Sequence, residues 1–218
     1  MGYNVAIDGP AGAGKSTIAK LVAKEKGYIY VDTGAMYRGL AIHFLDAGID
    51  AAQTDRIIEA CKDADVTIRY EEGVQQVYLN GKNITGRLRD EAVGNMASRC
   101  SAIPQVRAKL LELQRGLADK QDVIMDGRDI GTCVLPNADV KVYLTASVTT
   151  RAKRRYDELV QKGVPCILEE IEKDIEERDH RDMTRETAPL KQAEDAVLVD
   201  SSDMTIEEVV DAIVKLCR

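Results

Sequence analysis

Short apolar runs alternate along this chain with longer stretches in which apolar positions recur every three or four residues. Asn4-Val5-Ala6-Ile7 is the first run; it ends at Asp8 and passes into a glycine-rich turn. Ile18, Leu21 and Val22, on an alanine background, then repeat at helical spacing to about Glu25. Tyr28-Ile29-Tyr30-Val31 reads as a second buried strand, which completes a βαβ unit. Val123-Ile124-Met125, Val140 to Leu144 and Ala196 to Val199 repeat the strand pattern, and helical patterns cover Val106–Leu117 and Val148–Val160. Strands that are apolar on both faces and separated by helices predict an α/β fold, a five-stranded parallel sheet covered on both sides.

Two stretches break the rhythm. From Val66 to Thr85 the pattern is short and alternating, with Glu71-Glu72-Gly73 and Asn80-Gly81 as turn signals, because such turns require positive φ. This predicts a small β-rich insert of about three strands, bounded at 62–90. In 161–190, Gly163-Val164-Pro165 ends one helix and a second runs through Leu168, Ile171 and Ile175 before becoming highly charged. The last element, Thr205 to Leu216, opens on a Thr-x-x-Glu capping box (Thr205, Glu208). Its stripe of Ile206, Val209, Val210, Ile213 and Leu216 predicts a helix that packs on the sheet and carries no chemistry.

Composition narrows the class. The 218 residues suit one domain with an insertion, and 44% hydrophobic content with only 4% aromatic predicts a mostly aliphatic core. Thirty basic against 37 acidic residues leave a net charge of −7, which argues against nucleic acid or an anionic membrane as partner. Five widely spaced cysteines without a CxxC pair, and two histidines outside metal-ligand spacing, fit free thiols in a reducing compartment. No apolar run approaches membrane-spanning length and no basic residue precedes Lys15, so the expectation is a cytoplasmic protein.

Gly9-Pro10-Ala11-Gly12-Ala13-Gly14-Lys15-Ser16, followed by Thr17, fits G-x-x-x-x-G-K-[ST] and stands where that motif must stand, after a strand and before a helix. Glycines let consecutive N–H groups curl around phosphates, the helix directs its positive end at them, and Lys15 can reach the β- and γ-phosphates. The Ser16 hydroxyl suits Mg²⁺. The chain is therefore expected to be a P-loop three-layer α/β/α protein that binds a nucleoside triphosphate. GTPase switches, ATPases and small kinases share this loop; the missing Asn-Lys-x-Asp motif weakens the first.

The arginines carry the decision. Asp32-Thr33-Gly34-Ala35-Met36-Tyr37-Arg38 and Asp126-Gly127-Arg128-Asp129 read as turns following the second and third strands. In an open parallel sheet both would share the ligand-binding rim with the phosphate loop. Arg38 and Arg128 can there grip a second phosphate, or alternatively pair with Asp32 and Asp129. Arg151, Arg154 and Arg155 open one helix, while Arg178, Asp182 and Arg185 share a helical face. The pattern leaves two readings of these charged runs: a salt-bridged surface, or a mobile segment closing over a phosphoryl group in transfer.

Nearly end to end, the sequence resembles the bacterial-type cytidylate kinases, nucleoside monophosphate kinases. The resemblance rests on IDGPAGAGKST, VDTGAMYR, Ser98 to Arg107, DGRDIGTCVLPNADVKVYLTAS, RAKRR, ERDHRDMTRETAPL and VLVDSS. It implies transfer of a phosphoryl group from ATP to CMP or dCMP with Mg²⁺, in a monomer. Gly9 to Thr17 would hold the ATP phosphates, and Arg38, Arg128 and Arg185 the acceptor phosphate. Thr33 stands where the family often has Ser, and keeps a hydroxyl beside the acceptor. Ser98, Arg107 and Asp129 would read cytosine, and Arg178 and Asp182 would meet the ribose. Residues 151–165 would form a helical lid whose Arg151, Arg154 and Arg155 cover the transferred phosphoryl, and Asp200-Ser201-Ser202 would lie near adenine. Asp126 suits either a water-mediated Mg²⁺ partner or a structural N-cap acid. Adenylate, uridylate and shikimate kinases, and a nucleotide-dependent switch, are the rival readings.

Overall fold

The computed structural model describes residues 2–218. The first half runs β1 (Asn4–Asp8), α1 (Lys15–Lys26), β2 (Ile29–Asp32), α2 (Thr33–Asp46), α3 (Thr54–Asp63), β3 (Val66–Glu71), β4 (Val74–Leu79), β5 (Lys82–Asn83) and α4 (Glu91–Cys100). The second runs α5 (Pro104–Lys120), β6 (Val123–Gly127), β7 (Val140–Thr145), α6 (Val148–Gln161), α7 (Leu168–Thr184), β8 (Val197–Asp200) and α8 (Ile206–Val214). Five strands pair in parallel in the order β2-β6-β1-β7-β8, with Ala6 of β1 level with Met125 on one side and Lys141 on the other.

Side chains alternate across this sheet with period two, and the two faces belong to separate cores. Val5 and Ile7 join Ile18, Val22, Ile124, Val142, Leu144, Val209 and Ile213 beneath α1 and α8. Ala6, Val31 and Met125 join Met36, Leu40, Phe44, Val106 and Leu110 beneath α2 and α5. The result is the expected three-layer α/β/α arrangement. The order reverses on either side of β1, so the crevice at its carboxyl end falls where ligands bind in such sheets.

Residues 66–83 form a separate antiparallel sheet, β3-β4-β5. Both turns have positive φ at both central residues, Glu72 and Gly73 in one and Asn80 and Gly81 in the other. The sheet lies on α2, where Val77, Val66 and Ile84 crowd Gly39. Its side chains also fasten the free edge of β2. The Gln75 amide accepts from the Asp32 N–H at 2.9 Å and donates to the Asp32 carbonyl at 3.1 Å, while the Tyr70 hydroxyl donates to the Tyr30 carbonyl.

The structure alters several expectations. Asp32 to Arg38 is not a turn: Asp32 caps α2 by accepting from the Ala35 N–H, and Arg38 sits in the second turn of that helix. Asp126 and Gly127 belong to β6 itself. Helix α2 shows no clean apolar stripe because it is buried nearly all round, between sheet and insert. Helices α3 and α4 lie outside the predicted elements, and α5 extends beyond Val106–Leu117 at both ends.

Candidate active site

The phosphate loop is shaped by close approach. A Cβ at Gly9 would stand 1.9 Å from the Leu144 carbonyl oxygen of the neighbouring strand, so no side chain fits there. Gly14 has φ 84° and precedes α1 without a side-chain cap, so the first-turn N–H groups are available to an anion. Lys15 opens the helix and is buried, its Nζ donating to the Pro10 carbonyl at 2.7 Å. Burial and the Arg128 charge lower its proton affinity, against the opposing pull of Asp126 and Asp8.

Asp126 faces this loop from β6. It accepts from the Ser16 hydroxyl at 2.9 Å and from the Tyr30 hydroxyl at 2.8 Å. A residue inside a strand is no helix N-cap, so that alternative for Asp126 falls. Burial raises its pKa to about 6. The Thr33 hydroxyl donates to the Asp126 backbone carbonyl at 2.7 Å, tying the start of α2 to the same strand.

The other end of the crevice is built from charge pairs. Arg128 follows β6 and its Nε donates to Asp182 on α7 at 2.8 Å, so it pairs across the cleft and not with adjacent Asp129. Burial alone would raise the Asp182 carboxyl, but Arg128, Arg178 and Arg185 together hold it below its usual value. Arg178 lies one helical turn before Asp182; burial and the nearby Arg128 and Arg38 charges lower it to about 10, and its Nε has no protein partner.

Asp129 is the second pivot. It accepts from Arg107 on one oxygen and, at 3.4 Å, from Arg185 on the other. Arg185 also reaches the Ser101 hydroxyl at 3.3 Å, and Arg107 reaches the Ser101 carbonyl at the same distance. Ser98 Oγ is buried and has no partner in the chain.

One cleft of about 670 Å³ joins these parts. Ala11 to Ile18 line one end, and Ser98, Ser101 and Arg107 line another. Arg38, Arg128, Asp129, Arg178, Asp182 and Arg185 lie on its walls, with Thr33 among them. Gly9 and Pro10 shape the loop without lining the cleft. Arg154 and Arg155 are exposed on α6: Arg154 donates to the Ser201 carbonyl at 2.7 Å, and Arg155 pairs with Glu158 at 2.9 Å. Arg151 lines the same cleft, but its guanidinium is buried and already bonded to protein groups. Of the loop expected near adenine, Ser201 lines the cleft, whereas Asp200 and Ser202 do not.

Sequence reasoning missed several residues here. Tyr37 and Ser101 lie inside motifs already singled out, yet nothing in their spacing sets them apart. Met204, Thr205, Ile206 and Val209 line the cleft as well, so the last helix, expected only to pack, contributes its first turn to the site. Asp8 carried no signal beyond ending an apolar run. Its buried carboxylate accepts from the N–H groups of Ile130 and Gly131, each at 2.7 Å, and so fixes the π-helical turn Ile130–Val134 that follows Asp129. Burial raises Asp8 to about 6, with those two bonds opposing.

Comparison with known proteins bears on what this cleft serves. The sequence profile of a family described as cytidylate kinase matches residues 5–218. The cytidylate kinase of Caldicellulosiruptor saccharolyticus is 48% identical over 213 residues, covering 98% of this chain and 94% of that one. The cytidylate kinase of Lactiplantibacillus plantarum is 51% identical over 212 residues, covering 97% and 93%. Among solved structures, a gluconokinase from Sinorhizobium meliloti superposes with a TM-score of 0.50 at 13% identity, covering 98% of this chain and 90% of that one. That last likeness concerns the fold alone.

Proposed function

This chain belongs to the cytidylate kinase family, and from that premise we propose that it transfers the terminal phosphoryl group of ATP to CMP or dCMP, releasing ADP and CDP or dCDP. The observation that carries the reading is the single cleft that joins an uncapped phosphate loop to the Asp129–Arg107–Arg185 cluster. Ala11 to Thr17 hold the donor phosphates in a loop shaped by Gly9 and Pro10, with Lys15 on the β- and γ-phosphates. Arg38, Arg128 and Arg185 hold the acceptor phosphate. Asp129 takes the exocyclic amine of cytosine, Ser98 and Arg107 take the remaining polar edge of the base, and Arg178 and Asp182 take the ribose. The attacking phosphate oxygen is already anionic, so these residues act by placing and neutralising charge and need no strong base.

Arg154 and Arg155 are the side chains of the 151–165 lid that can swing over the transferred phosphoryl. Arg155 is held only by its exposed pair with Glu158, and exposed ion pairs are weak enough to exchange, whereas Arg154 must give up its hydrogen bonds to the buried Ser201. Closure by this segment would exclude water from the reacting groups.

Ser16 and Asp126 present oxygen donors only, side by side, next to the phosphate-binding lysine, which fits Mg²⁺. Among the described residues no group of three or more His, Cys, Asp or Glu side chains could hold a metal, so the ion would be shared with the nucleotide. Ser16 would ligate it directly and Asp126 through water; when bound, it neutralises charge on the β- and γ-phosphates. Free cysteines and the use of ATP support a cytoplasmic setting. No helix among the described residues is long and apolar enough to cross a membrane.

A coupled ADP-release assay with CMP, dCMP, UMP and AMP tests the reading. We expect turnover with CMP or dCMP to exceed the others at least tenfold, the size of one charge-assisted base contact, about 1.5–3 kcal/mol. No preference would overturn it. Calorimetric titration of CMP without ATP separates a kinase from a nucleotide switch, which would give no heat.

A further inference from the structure

The charged run Glu176-Glu177-Arg178-Asp179 contains a residue that its pattern disguises. Asp179 is 7% exposed, unlike its acidic neighbours, and faces inward from α7. Its Oδ2 lies 2.7 Å from Arg151 Nη1, and its Oδ1 is buried without a partner. The same Arg151 Nη1 donates to the Ala11 carbonyl of the phosphate loop at 2.9 Å, and Arg151 Nε donates to the Ala146 carbonyl just past β7 at 2.8 Å. One guanidinium therefore holds together the donor loop, the end of a core strand, and the helix that carries Arg178 and Asp182. Gly12 lies against it as well, since a Cβ there would stand 3.3 Å from Arg151 Cβ.

We propose that Asp179, acting through Arg151, is a positioning residue that sets the distance between the donor half and the acceptor half of the site. This inference rests on the nucleotide kinase reading above. Phosphoryl transfer needs the reacting atoms held about 3–3.5 Å apart and aligned, and a misplacement of about 1 Å can cost 100-fold in rate. Asp179 directly follows Arg178 and lies three residues before Asp182, so its height against Ala11 fixes theirs. A buried ion pair contributes little net stability over an apolar replacement, which leaves registry as what this one supplies. The half-sites are each built from other contacts. Breaking the link therefore spoils their mutual placement while each still binds its nucleotide.

The test is Asp179→Asn, which keeps shape and removes the charge, together with Arg151→Lys, which keeps charge and cannot reach all three acceptors. Steady-state kcat is measured with ATP and CMP; the dissociation constants of CMP and of β,γ-methylene-ATP are measured separately by calorimetry. Glu59→Ala, in the exposed Lys62–Glu59 pair of α3, serves as the control that retains wild-type rates. We expect kcat to fall about tenfold or more in both variants, while each dissociation constant stays within about threefold. A kcat within twofold of wild type overturns the assignment. So does a loss of kcat matched by equal weakening of both nucleotides, or failure of both variants to fold, since each marks a merely structural pair. If the wild-type protein does not phosphorylate CMP, the kinase reading fails instead, and the wild-type lane of the same assay reports that independently.

Discussion

Asp129→Asn is the substitution that most directly examines how the base is chosen. Asp129 is 4% exposed and lies between two guanidinium groups, Arg107 on one oxygen and Arg185 on the other. Each carboxylate oxygen has two acceptor sites, so one on each is left for a ligand N–H. Asparagine keeps one acceptor oxygen and turns the other into a donor. With the stronger Arg107 contact retaining the oxygen, the new NH₂ points toward Arg185 and the base. The exocyclic amine of CMP then meets a donor, while the carbonyl that UMP carries at that position meets a partner. A charge-assisted hydrogen bond contributes about 1.5–3 kcal/mol, so kcat/KM for CMP should fall about 10- to 100-fold while that for UMP holds or rises. Weakening a buried pair also destabilises, by about 3 kcal/mol, or roughly 6–12 °C in Tm for a chain of this size. Kinetics at 20 °C with both substrates avoid unfolding. Stability loss alone affects both substrates equally, so an unchanged CMP-to-UMP ratio in folded protein would refute the role of Asp129.

Three further outcomes follow from contacts already described. Ser98 Oγ is buried without a protein partner, so Ser98→Ala should leave Tm unchanged or slightly raised yet weaken CMP about three- to tenfold by calorimetry; an unaltered Kd would remove Ser98 from the site. Lys15→Met should lower kcat about 10²- to 10³-fold, with CMP binding alone retained; a smaller loss would mean that the loop backbone suffices. Asp8, raised from 3.8 to about 6 by burial, binds its proton more tightly folded than unfolded. Its protonated form stabilises the fold fully below pH 3.8, and that contribution is lost as pH rises to about 6. The Tm of Asp8→Asn relative to wild type should accordingly climb across that window, by an amount corresponding to roughly 3 kcal/mol. A flat difference in a pH series of thermal melts would contradict the burial argument.

Much of this fold was legible because its signals are local. Five apolar strands, the helices between them, the Asn80-Gly81 turn and the Thr205–Glu208 capping box each declare themselves within a few residues. Helix α2 did not, because burial on most sides erases the period that marks a surface helix. The arginines show the same division. Their presence beside strand ends pointed to a second phosphate, but pairing partners are set by distance in space. Arg128 meets Asp182, 54 residues away, in place of its sequence neighbour, and Arg107 meets Asp129 across 22.

The amino-acid sequence by itself determined the nucleotide-binding loop, the parallel sheet behind it and the family, since a phosphate loop is a continuous string whose backbone torsions are written residue by residue. Tertiary structure alone decided the roles that depend on desolvation and on neighbours distant in the chain. It made Asp8 a brace for the turn after Asp129, brought the first turn of α8 into the cleft, and buried Asp179 against Arg151 inside a run that looks like solvated surface. The physical reason is that a charge acquires its role from what surrounds it. Exposed, it contributes little to stability; buried, it must find a partner, and that partner is chosen by the fold.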